Sequence, residues 1–189
     1  MAFKYDNVTI SGGIGVGKNT LFANLKYYLE PRGWRFRTTG QIIRDYTKEN
    51  TMPVASLVSD DFHREIEKKA LNILTNEKKW VIEAWLAGFI ARDLKKVLKV
   101  LLVCSHDSIR IDRVANRDRL SVHEAIGNLK KREKDNFDLW HRIYGKHDYF
   151  DPKYYDLVID TYSSGQLETT GKVLDKLGFD SKKIIIEEQ

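Results

Sequence analysis

The chain has 189 residues, enough for one domain with a sizeable core. Its 32 Lys and Arg against 27 Asp and Glu leave a formal charge of +5, which suits a phosphate-bearing partner but is too small and dispersed to argue for nucleic acid. The single cysteine, Cys104, excludes a disulfide framework, and no apolar stretch approaches the roughly 18 residues of a membrane span. No signal-peptide core precedes the first strand, so a cytoplasmic protein is expected, with no membrane partner.

The first predicted strand is Val8-Thr9-Ile10. The stretch Gly12-Gly13-Ile14-Gly15-Val16-Gly17-Lys18-Asn19-Thr20 follows it and leads into a helix carrying Leu21, Leu25, Tyr28 and Leu29 at helical spacing. Glycines at a strand-to-helix turn let backbone N–H groups converge on a phosphate chain. The helix start adds its positive dipole end, and Lys18 adds a point charge. This context makes the segment a candidate ATP-binding loop. Where a hydroxyl commonly meets magnesium, the chain has Asn19, with Thr20 next, so either the amide oxygen, the hydroxyl or waters would hold that ion.

Pro31-Arg32-Gly33 closes the first helix, and Trp34 to Thr38 is predicted as a second strand. A helix begins after Gly40, with Ile42, Ile43 and Tyr46. Arg44 stands one turn in, where it could receive the phosphate of a second substrate. A longer helix is predicted over Asp60 to Thr75. Trp80 to Glu83 and Val97 to Cys104 read as strands buried in a parallel sheet, with Leu86 to Leu94 as the crossover helix between them. Glu83, at a strand end, could orient magnesium waters or cap the next helix.

Two charged helices follow, about Ser108 to Asn116 and Ser121 to Tyr144. They hold a basic cluster that includes Arg110, Arg113, Arg117, Arg132 and Arg142. The first three share one helix face, and guanidiniums suit a transferring phosphoryl group because their fork binds oxygens bidentately. Asp156 to Asp160 is the last predicted strand and Gln166 to Leu177 the last helix. Alternating strands and helices predict a three-layer α/β/α fold built on a mostly five-stranded parallel sheet, with its ligand beyond the carboxyl ends of the strands.

In their order, these segments resemble the nucleoside monophosphate kinases, and more closely the short, archaeal-type cytidylate kinases. The likeness runs from Val8 to about Thr161. It is carried by the glycine loop with Thr9-Ile10-Ser11 before it, by Thr39-Gly40-Gln41-Ile42-Ile43-Arg44 and Ile82-Glu83-Ala84-Trp85-Leu86-Ala87-Gly88, and by Lys131-Arg132-Glu133, Arg142-Ile143-Tyr144-Gly145 and Tyr155-Asp156-Leu157-Val158-Ile159-Asp160-Thr161. The resemblance implies a single P-loop kinase domain with an acceptor-binding helical segment at about 40–77 and a helical lid insertion at about 113–146. It implies transfer of the γ-phosphoryl group of ATP, with Mg2+, to a nucleoside monophosphate, most simply CMP or dCMP. Lys18 and the lid arginines Arg113, Arg117, Arg132 and Arg142 would then be catalytic, and Asn19, Thr20 and Glu83 would hold the metal. Gly40 and Arg44 would place the acceptor.

Besides Asn19 in the loop, the chain departs from that pattern in two places. It has Ala84-Trp85 where Gly-Arg is expected, so the acceptor's arginine falls to Arg92 or Arg64, and Trp85 either stacks on the base or fills the core. An acid is expected near His63, and Asp61 and Glu65 flank that position. His63 need not act as a base, because an acceptor phosphate oxygen is already ionised. The aromatics Trp140, Tyr144, Tyr149, Phe150, Tyr154 and Tyr155 are expected to pack the lid base on the core.

Two other readings differ in class from a kinase of this or another small acceptor. One is a nucleotide-binding regulator that transfers nothing, and the other is an RNA-binding module, which would require strongly salt-dependent binding. A monomer or a homodimer fits equally.

Overall fold

The computed structural model describes residues 3–42 and 59–179. Its five strands are β1 (Asn7–Ser11), β2 (Arg35–Thr38), β3 (Trp80–Glu83), β4 (Val97–Val103) and β5 (Leu157–Asp160). They form one parallel sheet in the order β2-β3-β1-β4-β5. β1 and β4 are almost wholly buried, as their continuous apolar runs require when both faces are covered. The edge strand β2 alternates Arg35, Phe36 and Arg37 and stays partly exposed.

The helices are α1 (Lys18–Leu29), α2 (Asp60–Asn76), α3 (Ala87–Ile90), α4 (Asp107–Asp118), α5 (Val122–Tyr144) and α6 (Gln166–Leu177). Residues 39–42 are also helical, and a 3-10 turn at Glu30–Arg32 ends in left-handed Gly33. The largest core layer joins Leu21, Leu25 and Leu29 of α1 to Val8, Ile10, Val100 and Leu102 of the sheet, and to Val173 and Leu177 of α6. Cys104 packs against this core.

The crossover predicted over Leu86 to Leu94 is shorter than its periodicity suggests. It is a single turn, Ala87–Ile90, capped by Ala91. Ala87, Gly88 and Phe89 are all buried, and a Cβ on Gly88 would collide with the Tyr155 ring. A turn packed on the sheet, α2 and α5 leaves little solvent face along which a longer amphipathic helix could run.

α2 buries His63, Ile66, Ala70 and Leu74 along one stripe, and Ser59 caps it by accepting from Phe62 N at 3.2 Å. α5 opens with a capping box, in which Ser121 Oγ accepts from Glu124 N and the Glu124 carboxylate accepts from Ser121 N. Ser121→Ala is expected to cost about 1 kcal/mol, read as a lower denaturant midpoint with an unchanged slope.

Two small cores fix α4 and α5 on the domain. Ile14 of the glycine loop packs with Val114 and Ala115 of α4 and Ala125 and Leu129 of α5. Leu86 and Phe89 pack with Leu139, Trp140 and Tyr149, and partly buried Tyr144, Phe150 and Tyr154 join them. The aromatics near the chain's end thus pack this helical pair onto the core, as the sequence suggests.

Candidate active site

The strand order reverses direction at β1: the chain steps outward to β2, returns through β3, and only then crosses to β4. Open α/β sheets bind ligands at such a switch point, beyond the carboxyl ends of the strands. The glycine loop leaves β1 there. Register pairs Ile10 with Glu83 and with Val100, so the end of β3 lies beside the start of the loop. Gly12 N then donates to Trp85 O at 3.2 Å.

Two glycines are required by geometry. Gly12 has φ +139°, and a Cβ there would meet Leu102 O; Gly15 has φ +73°, and its Cβ would lie 2.8 Å from Arg110 O. Any L side chain at either position would be strained and would push the loop off its supports. Gly17 precedes α1 in a left-handed conformation with no side-chain cap, leaving first-turn N–H groups available to an anion.

Lys18 Nζ donates to Gly13 O at 2.7 Å and lies 3.9 Å from Glu83 Oε1, with both side chains 9% exposed. Burial pushes the Lys18 ammonium down to about 8; Glu83 opposes this, while Arg132, Arg117 and Arg110 push the same way. A lysine so placed is a cation held largely out of solvent in a positively biased pocket, ready for a polyanion. Its Nζ also stands 5.4 Å from the Trp85 ring.

The loop is braced by α4. Arg110 Nε donates to Ile14 O at 3.0 Å, its Nη1 to Asp107 at 2.8 Å, and its Nη2 to Glu133 of α5. Arg113 donates to Gly15 O at 3.1 Å and to Thr161 Oγ1 and O, each at 2.9 Å. Both arginines therefore hold the loop by its carbonyls, and Arg113 ties it to the end of β5.

A cavity of about 1230 Å³ opens from this loop. Ile14 to Thr20, Glu83 and Trp85 line it, Thr39 and Gly40 border it after β2, and Arg113, Arg117 and Arg132 reach it from α4 and α5. Arg117 is gripped at its Nε and Nη2 by Asp118, both at 2.7 Å, which holds its pKa above the usual arginine value. Trp85 fills the core on one side and borders the cavity on the other. It packs edge-on against Trp140 with centroids 5.1 Å apart, and its remaining surface lines the cavity.

Other sequence candidates stand elsewhere. Arg142 pairs with Asp60 at 3.0 Å, joining α5 to the start of α2. Arg64 pairs with Asp61 at 3.0 Å on the exposed face of α2. Arg92 lies over the Phe89 ring at 4.6 Å and donates to Phe89 O. None of Arg142, Arg64, Asp61 or Arg92 lines the cavity. Arg44 and the tail Ile184-Ile185-Ile186 lie outside the described residues.

The sequence reading missed Glu67. It lines the cavity and has an Oε2 buried without a hydrogen-bond partner among the described residues. Helical spacing was the available signal, because Glu67 follows buried His63 by four residues and precedes buried Ala70 by three.

A strand, a glycine loop with its lysine, and a helix N-terminus at the switch point of a five-stranded parallel sheet define a P-loop kinase fold. Solved structures share it: a gluconokinase from Sinorhizobium meliloti aligns over 100% of both chains with TM-score 0.59 and 12% identity. An uncharacterized protein from Eubacterium ventriosum aligns over 93% of this chain and 99% of its own, with TM-score 0.66 and 17% identity. A shikimate kinase from Acinetobacter baumannii aligns over 90% and 92%, with TM-score 0.53 and 19% identity.

The sequence profile of the cytidylate kinase-like family matches residues 31–163. Cytidylate kinase of Pyrococcus abyssi is 33% identical over 162 residues, covering 82% of this chain and 83% of its own. Cytidylate kinase of Thermococcus sibiricus is 31% identical, covering 84% and 80%. The chain belongs to the cytidylate kinase-like family, and with it to the nucleoside monophosphate kinase class of enzymes. The profile begins after the glycine loop, so the loop's geometry and the family match support the class independently.

Proposed function

We propose that this protein is a cytidylate kinase, moving the γ-phosphoryl group of ATP onto CMP or dCMP. The observation that carries the reading is Lys18, held in the glycine loop beside Glu83, in a cavity that also receives Arg117 and Arg132. The names of the curated relatives support cytidylate as the acceptor.

In this reading the loop amides and Lys18 bind the outer phosphates of ATP. An oxygen of the acceptor's phosphate attacks the γ-phosphorus, the bond to the β-phosphate oxygen breaks, and ADP and CDP result. No proton needs removing, since the attacking oxygen is already ionised. Arg117 and Arg132 neutralise charge spread over the γ-oxygens. Arg113 acts through the loop that it holds. Gly40, Arg44 and Trp85, with the segment at about 40–77, take the acceptor, and the helical insertion at about 113–146 closes over the site and excludes water. Arg142 rides on that insertion and ties it to Asp60.

The residues present fit magnesium. Asn19, Thr20 and Glu83 all line the cavity and offer hard oxygen donors, whereas no cluster of three His, Cys, Asp or Glu suited to a metal occurs among the described residues. That sparse set suits an ion that keeps most of its waters and shares substrate phosphates. Magnesium held there would supply positive charge against the phosphates of the bound nucleotides.

ADP production measured with CMP, dCMP, UMP, AMP, GMP and dTMP offered separately tests the assignment. CMP or dCMP should stimulate it most. Bound ATP with no stimulation by any of the six would leave a regulator, or a kinase of another acceptor.

A further inference from the structure

Arg110 links three elements. From α4 it donates to Ile14 O of the glycine loop, to Asp107 at the start of its own helix, and to Glu133 Oε1 of α5. Phosphoryl transfer as read above uses the loop and Arg132, and it leaves Glu133, one residue further along α5, without a task. The placement of that carboxylate also needs a reason. A Cβ on Gly13 would lie 3.7 Å from Glu133 Oε1, so a negative charge stands beside a loop suited to phosphate. We propose that Glu133 is a positioning residue: through Arg110 it fixes α5 on the glycine loop and so holds Arg132 against the transferring phosphoryl group. The inference rests on the phosphoryl-transfer reading above.

The packing of α5 agrees. Ala125 and Leu129 pack with Ile14 of the loop, and Glu133 continues their stripe at the next i+4 step. Arg132 is turned about 100° from that stripe around the helix axis and lines the cavity, as Lys18 does. Apolar contacts are non-directional, so Ala125 and Leu129 fix how near α5 comes to the loop but not how far it slides or rolls. The Arg110 guanidinium is planar and bonds along set directions, so its links to Ile14 O and to Glu133 fix both. With side chains 14% and 27% exposed, Arg110 and Glu133 are sheltered enough to hold where a fully solvated pair would not. The alternative role has the opposite sign. A carboxylate that only balanced charge would repel the donor's phosphates, and its removal would lower the KM for ATP.

Steady-state kinetics of the full chain with magnesium-ATP and CMP, at a temperature where every variant is folded, test this in a cycle with Arg132. Glu133→Ala should lower kcat on the order of 10- to 100-fold, with the KM for ATP and for CMP within about threefold of the parent. Glu133→Gln keeps an oxygen for Arg110 to donate to, and it should recover kcat to within about fivefold of the parent. In an Arg132→Ala background either substitution should change kcat by less than about twofold, because the group that Glu133 positions is already gone. Glu133→Gln keeps the test in force if the alanine variant folds poorly. An unchanged kcat in folded Glu133→Ala, a lower KM for ATP with kcat retained, or a loss that multiplies in full with that of Arg132→Ala overturns the role of Glu133. A parent enzyme that phosphorylates none of the monophosphates overturns the underlying reading instead.

Discussion

Lys18→Ala is expected to lower turnover on the order of 10³-fold while the chain still folds. The side chain is the one cation seated inside the glycine loop, with its ammonium on Gly13 O and 3.9 Å from Glu83. A transferring phosphoryl group is stabilised mainly by position and charge, so removing this charge removes transition-state binding rather than scaffold. Folding should tolerate the change, because an ammonium this buried costs free energy in the native state. Tm within about 4 °C of the parent is expected from thermal unfolding.

The pH dependence has a definite sign. The native Lys18 titrates at about 8 and the unfolded one near the ordinary 10.5. Between those values the unfolded chain holds the extra proton, so this group's contribution to stability rises with pH across that window, and below about 8 its burial cost is fully present. Bound triphosphate should pull the proton back. ATP binding near pH 8.5 should therefore take up protons, seen as a calorimetric enthalpy that changes with the buffer's ionisation enthalpy. Full activity in Lys18→Ala would remove the loop from the chemistry altogether.

Arg113→Ala should destabilise the fold by about 2–3 kcal/mol and raise the KM for ATP on the order of tenfold. Its guanidinium makes three hydrogen bonds, to Gly15 O and to both oxygens of Thr161, and they join the loop to the end of β5. Alanine leaves those carbonyls unpaired and frees a loop whose Gly15 sits in left-handed backbone. Thermal unfolding and ATP kinetics should move together, with Tm lower by roughly 4–10 °C. A side chain acting only on phosphoryl oxygens would lower kcat and leave Tm in place, so the two roles separate cleanly.

Much of the fold is legible from the residues because each signal is local. Continuous apolar runs marked β3 and β4, the helix predicted over Ser121 to Tyr144 is α5 with Ser121 as its cap, and Gln166 to Leu177 is the final helix at the bounds its periodicity gives. The short α3 was not legible, because its brevity comes from packing on the sheet, α2 and α5 and not from its own sequence. The site divides in the same way. The loop can be read directly, since glycines, lysine and helix start are consecutive. Which arginines face the cavity cannot, since that depends on partners far along the chain: Arg113 on Thr161, Arg142 on Asp60, Arg110 on Glu133. Asp61 and Glu65 stood nearest in sequence to His63, yet helical geometry turns them to solvent and brings Glu67, a full turn on, to the cavity.

The most direct measurement follows the phosphoryl group itself: ATP labelled at the γ-phosphate is incubated with magnesium and CMP, and the products are separated. Label appearing in CDP, and absent from it in Lys18→Ala, is the expected result. Label that stays in ATP, or reaches only inorganic phosphate, while ATP binding is demonstrated, would contradict transfer to cytidylate.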